Sequence, residues 1–163
     1  MFTFAPTPGR DKTELYRELC SSALALTAGE PDAVANMANL SALIWTFVAD
    51  LNWAGFYRVL PHAPGELVLG PFIGKPACIR IAFGSGVCGT AAASGTTQCV
   101  TDVHLFPGHI ACDAASRSEL VVPVLRHGAV IAVIDLDSPL PARFDADDAA
   151  GIEALAEAIA ARI

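Results

Sequence analysis

The chain's 163 residues fit one domain of ordinary size, and 53% of them are hydrophobic, so the sequence can bury a core without metal ions or disulfides. Its net charge of −7 argues against binding to nucleic acid or to an anionic membrane surface, because both require clustered lysine and arginine. The chain does not open on a basic segment followed by an apolar core, and no stretch reaches the ~20 apolar residues of a spanning helix. We therefore expect a cytoplasmic protein whose five cysteines are reactive or buried rather than paired in permanent disulfides.

Helical periodicity predicts two helices near the start of the chain and one at its end. The first begins at Asp11 or Thr13. The second begins after a turn at residues 29–32, with Pro31 in its first turn, and the last is capped by Asp145. Each helix carries an apolar stripe. The three stripes are Leu15, Leu19 and Leu26; Val34, Met37, Ala38, Ser41, Trp45 and Val48; and Ile152, Leu155, Ala156, Ile159 and Ile163.

Strand patterns occupy the middle of the chain. Trp53–Leu60 is rich in aromatic and branched residues, and a turn joins it to a second strand at residues 66–69. Residues 119–125 and 129–136 are nearly continuous in apolar side chains, which is typical of strands buried on both faces at the centre of a sheet. Because helices and strands are segregated along the chain, we predict an α+β fold with a mainly antiparallel sheet.

Residues 69–137 hold four of the five cysteines and most of the glycines, a composition more typical of a functional site than of a core. Nine to twelve residues separate neighbouring cysteines, and no C-x-x-C occurs. This spacing is a poor template for zinc even with His104 and His109 nearby, so we predict no metal site.

Local chemistry favours Cys88 as the first candidate for a reactive thiol. It precedes an alanine-rich run where a short helix could begin, and a helix N-terminus favours a thiolate. Cys112 lies in a loop of the exposed, mobile kind that carries chemistry. Cys20, on the first helix, and Cys99, in a short strand-like run, are expected to be buried and inert.

Three carboxylates form a second group of candidates. Asp135 and Asp137 stand two apart on a strand and so project from the same face. Glu119 begins the adjacent strand, so the three side chains could converge on one pocket; alternatively, the aspartates only mark a solvated strand end. If they converge, crowding raises at least one pKa. A carboxylic acid kept protonated can then donate a proton, while ionised neighbours bind a cationic group.

The chain resembles the free methionine-(R)-sulfoxide reductase family, single-domain enzymes with the GAF fold. The matching segments are NWAGFY, then GKPACIRIAFGSGVCGTAAASGTTQCVTDVHLFPGHIACDAASRSELVVPV, then VIAVIDLDS. Together they run from about the second helix to the final helix. The resemblance implies that residues 1–163 form a single GAF domain, in which a mainly antiparallel sheet is flanked by N-terminal and C-terminal helices.

The resemblance also implies roles for individual residues. It places the nucleophile at Cys112, the resolving thiol at Cys78 and an auxiliary thiol at Cys88, so Cys112 replaces Cys88 as the first candidate. The substrate-binding residues it implies are Glu119, Asp135 and Asp137, with an aromatic wall from Trp53 and Tyr57.

The activity that the resemblance implies is reduction of free methionine (R)-sulfoxide. The Cys112 thiolate would attack the sulfur while Glu119 or Asp137 supplies a proton. Cys78 would then convert the sulfenic acid to a disulfide, which an external dithiol such as thioredoxin reopens. The family implies no bound cofactor, a role in oxidative stress and a homodimer. The alternative is a non-catalytic GAF module that binds a small ligand or senses redox state.

Overall fold

The computed structural model describes residues 4–110 and 113–163. The helices are α1 (Lys12–Leu26), α2 (Ala33–Phe47), α3 (Gly86–Ser94) and α4 (Ala146–Ile159), with one 3-10 turn at Val103–Leu105. The strands are β1 (Trp53–Leu60), β2 (Ala63–Gly74), β3 (Arg80–Ala82), β4 (Gln98–Val100), β5 (Ser118–Arg126) and β6 (Ala129–Ser138). None of the helices in these residues has the length and apolarity needed to cross a membrane.

The six strands form one antiparallel sheet in the order β3-β2-β1-β6-β5-β4. The prediction of an α+β fold is therefore confirmed. Strands β5 and β6 lie inside the sheet, as their continuous apolar sequences predict. Strand β2 is longer than predicted and reaches Gly74, because its first half pairs with β1 and β3 while its second half continues along β1.

The two faces of the sheet carry two separate cores. On one face, α1, α2 and α4 pack against alternate residues of the central strands, including Leu120, Ile134 and Leu136. On the other face, α3 packs over Val121 and Val133. Gly89 allows α3 to approach closely, because a Cβ at this position would overlap the carbonyl oxygen of Ala82 on β3.

Aspartate side chains cap three of the helices. Asp11 accepts a hydrogen bond from the backbone N–H of Glu14, and Asp145 forms a capping box with Asp148, as the sequence predicts. The cap of α2 is Asp32, so Pro31 precedes the helix rather than lying in its first turn, and that prediction is wrong.

Two predictions of burial are also wrong. On α2, Val34 and Trp45 are 46% and 37% exposed and Ala38 is exposed too. The buried side of the helix is rotated away from them, toward Leu40, Ile44 and Phe47. Cys99 is exposed as well, since β4 is a three-residue edge strand paired only with β5.

Asp148 is a buried carboxylate that joins α1 to α4. It accepts hydrogen bonds from the Tyr16 hydroxyl at 2.7 Å, Lys12 Nζ at 2.7 Å, Arg143 Nη1 at 3.2 Å and the backbone N–H of Asp145 at 3.0 Å. Its side chain is only 1% exposed. Removal of this carboxylate would leave the buried Tyr16 hydroxyl without its acceptor. Lys12 would keep Asp145, and Arg143 would keep the carbonyl of Ala49, but each would lose its buried partner.

We therefore expect Asp148→Ala to lower the free energy of unfolding by about 3 kcal/mol, as measured by urea denaturation. Asp147→Ala is the matched control: Asp147 is exposed in the same helical turn, so its loss should change stability by no more than about 0.5 kcal/mol. Equal effects of the two variants would contradict this account of the Asp148 cluster.

Candidate functional site

A pocket lies on the α3 face of the sheet, with an empty volume of about 530 Å³ including its mouth. Its floor is formed by the central strands and one wall by the first turn of α3. The loop after β2 and the segment before β5 form the rest. Its lining includes Trp53, Tyr57, Lys75, Cys88, His109, Asp113, Ser116, Glu119, Asp135 and Asp137.

Strand register brings the predicted carboxylates together. Asp137 on β6 stands opposite Glu119 on β5 and opposite Trp53 on β1, so these three side chains form a row across the sheet. Asp135 is two residues from Asp137 on the same face. Glu119 and Asp135 are each only 6% exposed. The carboxylates therefore lie inside the pocket and do not mark a solvated strand end.

Burial raises the pKa values of all three carboxylates, and repulsion from neighbouring carboxylates adds to the rise for Glu119 and Asp137. Burial, followed by the charges of Asp135 and Asp137, raises the pKa of Glu119 well above its ordinary value. Burial and the charge of Asp135 do the same for the pKa of Asp137. Burial raises the pKa of Asp135 to about 6, although hydrogen bonds from Cys88 and Glu119 oppose that rise. The group therefore holds protonated carboxyls beside one carboxylate at neutral pH.

Asp135 offers one oxygen to a ligand. Its Oδ1 atom is buried and has no hydrogen-bond partner among the residues described. Such an atom normally has a partner. A cationic hydrogen-bond donor entering the pocket would supply one.

Cys88 lies in the first turn of α3, as predicted, but its thiol is not activated there. Burial raises the pKa of Cys88 well above its ordinary value, and the charges of Asp135 and Glu119 raise it further. These effects outweigh the stabilisation that a helix N-terminus gives to a thiolate. The prediction of a reactive Cys88 thiolate from its local sequence is therefore wrong.

The other cysteines are distributed around the molecule. Cys78 is half-buried beside the pocket, and its carbonyl accepts a hydrogen bond from the Tyr57 hydroxyl at 3.0 Å. Cys112 lies outside the described residues. Cys20 is half-buried on α1, and Cys99 is on the edge strand with its Sγ 3.6 Å from the carbonyl oxygen of Phe144, so neither lines the pocket.

Aromatic side chains form an apolar wall. The Trp53 ring stacks on Phe72 at 5.1 Å between centroids and on Tyr57 at 5.8 Å. Its indole N–H donates to the carbonyl of Lys75 at 3.1 Å, which fixes the plane of the ring. Trp53 and Tyr57 line the pocket as predicted, whereas Phe72 supports Trp53 from the side.

Polar contacts connect the segment before β5 both to the loop after β2 and to the residue before β1. Lys75 Nζ donates to Asp113 Oδ1 at 3.1 Å, and Asn52 Nδ2 donates to Ser116 Oγ at 3.0 Å. The backbone N–H of Ala115 also donates to Asp113, and this bond and Lys75 lower the pKa of that carboxyl. Sequence reasoning missed these residues, because pairs 38 to 64 residues apart leave no local pattern.

Cation-binding atoms also cluster in the pocket. Cys88, Glu119 and Asp135 each present a ligand atom, and these atoms all lie within 4.8 Å of one another. This spacing suits an ammonium group as well as a metal ion, so the arrangement does not by itself require a metal.

Comparison with known proteins identifies the family. The chain matches the model of the GAF domain over residues 22–163. It is 49% identical to the free methionine-R-sulfoxide reductase of Escherichia coli, covering 89% of this chain and 86% of that protein. It is 44% identical to the Saccharomyces cerevisiae enzyme of the same name, covering 91% of this chain and 86% of that one.

A solved structure agrees with this match. The X-ray structure of free methionine-R-sulfoxide reductase from Neisseria meningitidis in complex with its substrate superposes with a TM-score of 0.93 at 44% identity. The match covers 99% of this chain and 95% of that one. The chain therefore belongs to the GAF domain family, among the free methionine-R-sulfoxide reductases.

Proposed function

We propose that this protein reduces free methionine (R)-sulfoxide to methionine. The observation that carries the proposal is the pocket in which Trp53, Asp137 and Glu119 form one row with Asp135 beside it. It combines an apolar wall, an unpartnered carboxylate oxygen and protonated carboxyls, which are the groups that a charged amino acid with a sulfoxide side chain requires.

Two parts of the substrate, its α-ammonium group and its methyl group, have counterparts in the pocket. The Asp135 carboxylate binds the α-ammonium group, which donates a hydrogen bond to the unpartnered Oδ1 atom of Asp135. The Trp53 ring packs against the methyl group on the sulfur. A methionine sulfoxide within a peptide lacks the free ammonium beside its side chain, so the same pocket favours the free amino acid.

The reaction begins at Cys112. Its thiolate attacks the sulfoxide sulfur, and Glu119 or Asp137 protonates the oxygen, which leaves poorly without a proton. The S–O bond of the substrate then breaks as the protonated oxygen passes to the Cys112 sulfur, and the transient bond between the two sulfurs breaks. Methionine departs with that electron pair as the thioether, and Cys112, oxidised by two electrons, becomes a sulfenic acid. The first turn of α3 lines the pocket, and its N–H groups, which lack intrahelical partners, present partial positive charge there.

In the second step, the sulfenic acid on Cys112 is converted to a disulfide that an external reductant can open. Cys78 attacks the Cys112 sulfenic acid, an S–S bond forms, and the oxygen leaves as water. Lys75 and Asp113 stand three residues from Cys78 and one residue from Cys112, so their ion pair holds the two segments together. An external dithiol such as thioredoxin then reduces the disulfide. We also propose that the protein is cytoplasmic, that it is a homodimer and that it acts against oxidative stress.

The test is release of methionine from each sulfoxide epimer with dithiothreitol as reductant. We expect turnover of the R epimer alone, and none with N-acetyl-methionine (R)-sulfoxide, which keeps the sulfoxide but lacks the ammonium. Tight binding of the R epimer without turnover would instead favour a non-catalytic ligand-binding GAF module.

A further inference from the structure

His109 faces Glu119 at the edge of the pocket. Its Nε2 atom lies 3.7 Å from Glu119 Oε2, and the two side chains are 15% and 8% exposed. Both residues line the pocket. His109 is therefore the more exposed member of the pair. A small movement would bring its Nε2 atom within hydrogen-bond distance of Glu119.

At rest this pair is uncharged. Burial, with a smaller contribution from the charge of His104, lowers the pKa of His109, whereas burial raises the pKa of Glu119. When Glu119 loses its proton, the new carboxylate favours the imidazolium form of its neighbour. Within residues 4–110 and 113–163, the titratable and charged groups around His109 are Glu119 on β5, Asp135 and Asp137 on β6, Cys88 on α3, His104 on the 3-10 turn, and Lys75 and Asp113 at the pocket mouth.

The proposed reaction needs an acid twice in each cycle. One proton goes to the sulfoxide oxygen and a second goes to the oxygen that leaves Cys112 as water, while the two thiols release their protons to solvent. If Glu119 is the acid, it must regain a proton between the two steps. Lys75 is not suited to this task, because it is 68% exposed and paired with Asp113.

We infer that His109 is a positioning residue that orients Glu119 and returns a proton to it between the two steps. The inference rests on the function proposed above. Once Glu119 is a carboxylate, the exposed edge of the ring takes a proton from the solvent. The Nε2–H bond of the resulting imidazolium then breaks as the Glu119 O–H bond forms, which leaves the imidazole neutral again. Nothing is oxidised or reduced in this transfer.

The decisive variant is His109→Gln, which keeps a polar side chain but cannot carry a proton. We expect kcat with the R sulfoxide and dithiothreitol to fall about tenfold or more, while KM changes less than about threefold. The loss should be largest near pH 6 and shrink toward pH 9, because the imidazolium form through which His109 returns the proton is lost as pH rises. Imidazole added to the buffer should restore part of kcat to His109→Ala.

His104→Gln is the matched control. His104 lies in the same segment, is 61% exposed and bonds to Asp102 rather than lining the pocket, so its replacement should leave kcat nearly unchanged. In a Glu119→Gln background, His109→Gln should cause no further loss, because the acid through which it acts is gone.

Three results would overturn the inference: an unchanged kcat, a loss equal at every pH, or a His109→Ala variant that imidazole does not restore. If His109→Gln fails to bind substrate, the imidazole experiment on His109→Ala decides the question. A wild-type protein that does not turn over would instead refute the proposed function, so the two failures are distinguishable.

Discussion

A Cys112→Ser variant is expected to release no methionine from the R sulfoxide, a loss of at least ~10⁴-fold in turnover. A serine hydroxyl ionises far less readily than a thiol and is a much weaker nucleophile. Its oxygen also cannot pass through a sulfenic acid to a disulfide. The measurement is methionine release over several hours with dithiothreitol in excess.

The other cysteine variants separate the roles. Cys78→Ser should still turn over with dithiothreitol, since a small dithiol can reduce the Cys112 sulfenic acid directly, but should be nearly inactive with thioredoxin. Cys88→Ser should slow turnover less than about tenfold, because its buried thiol is held protonated. Cys99→Ser is the control, because Cys99 is exposed and does not line the pocket. If Cys112→Ser is active and Cys88→Ser is inactive, the nucleophile is Cys88 and not Cys112.

The elements that sequence reasoning placed well are those with a strong local period. Alternation along β6 put Asp135 and Asp137 on one face and Ile134 and Leu136 on the other, and the structure has them so. Glu119 could be added because its strand directly precedes that of the aspartates, and two such strands are expected to pair as a hairpin. Periodicity was sufficient here because each strand is buried on both sides.

The errors arose where neighbours distant in sequence decide the outcome. The exposure of Trp45 depends on how α2 rotates against the sheet, and that of Cys99 on whether another strand covers β4. The ion pair of Lys75 with Asp113 and the contact of His109 with Glu119 exist only once the fold closes. The low reactivity of Cys88 has the same origin, because its burial and its acidic neighbours come from other strands.

A Glu119→Gln variant should lose at least about a hundredfold in kcat, while KM changes less than about threefold. Glutamine keeps the shape and can still donate a hydrogen bond to Asp135, but it cannot protonate the sulfoxide oxygen. In the wild-type protein, kcat should fall as pH rises through the raised pKa of Glu119, because the proton donor is lost. In Glu119→Gln that dependence should disappear.

The same variant should be more stable than the wild type. Because the pKa of Glu119 is raised in the folded state, the folded protein holds this proton more tightly than the unfolded chain does. The free energy of unfolding therefore falls as pH rises from the ordinary glutamate range toward the raised pKa. Glutamine removes this penalty, so we expect a gain of about 1 kcal/mol or more at neutral to alkaline pH, since a tenfold change in proton affinity corresponds to roughly 1.4 kcal/mol.

Asp135→Asn is the comparison that separates chemistry from binding. This substitution removes the carboxylate that binds the substrate ammonium, so KM should rise at least about tenfold with a smaller change in kcat.

If Asp137→Asn rather than Glu119→Gln lowers kcat, the proton donor is Asp137, and the role inferred for His109 is then wrong. A Glu119→Gln protein that is less stable than the wild type at alkaline pH would show that the Glu119 carboxyl stabilises the fold, which would contradict the expected gain in stability.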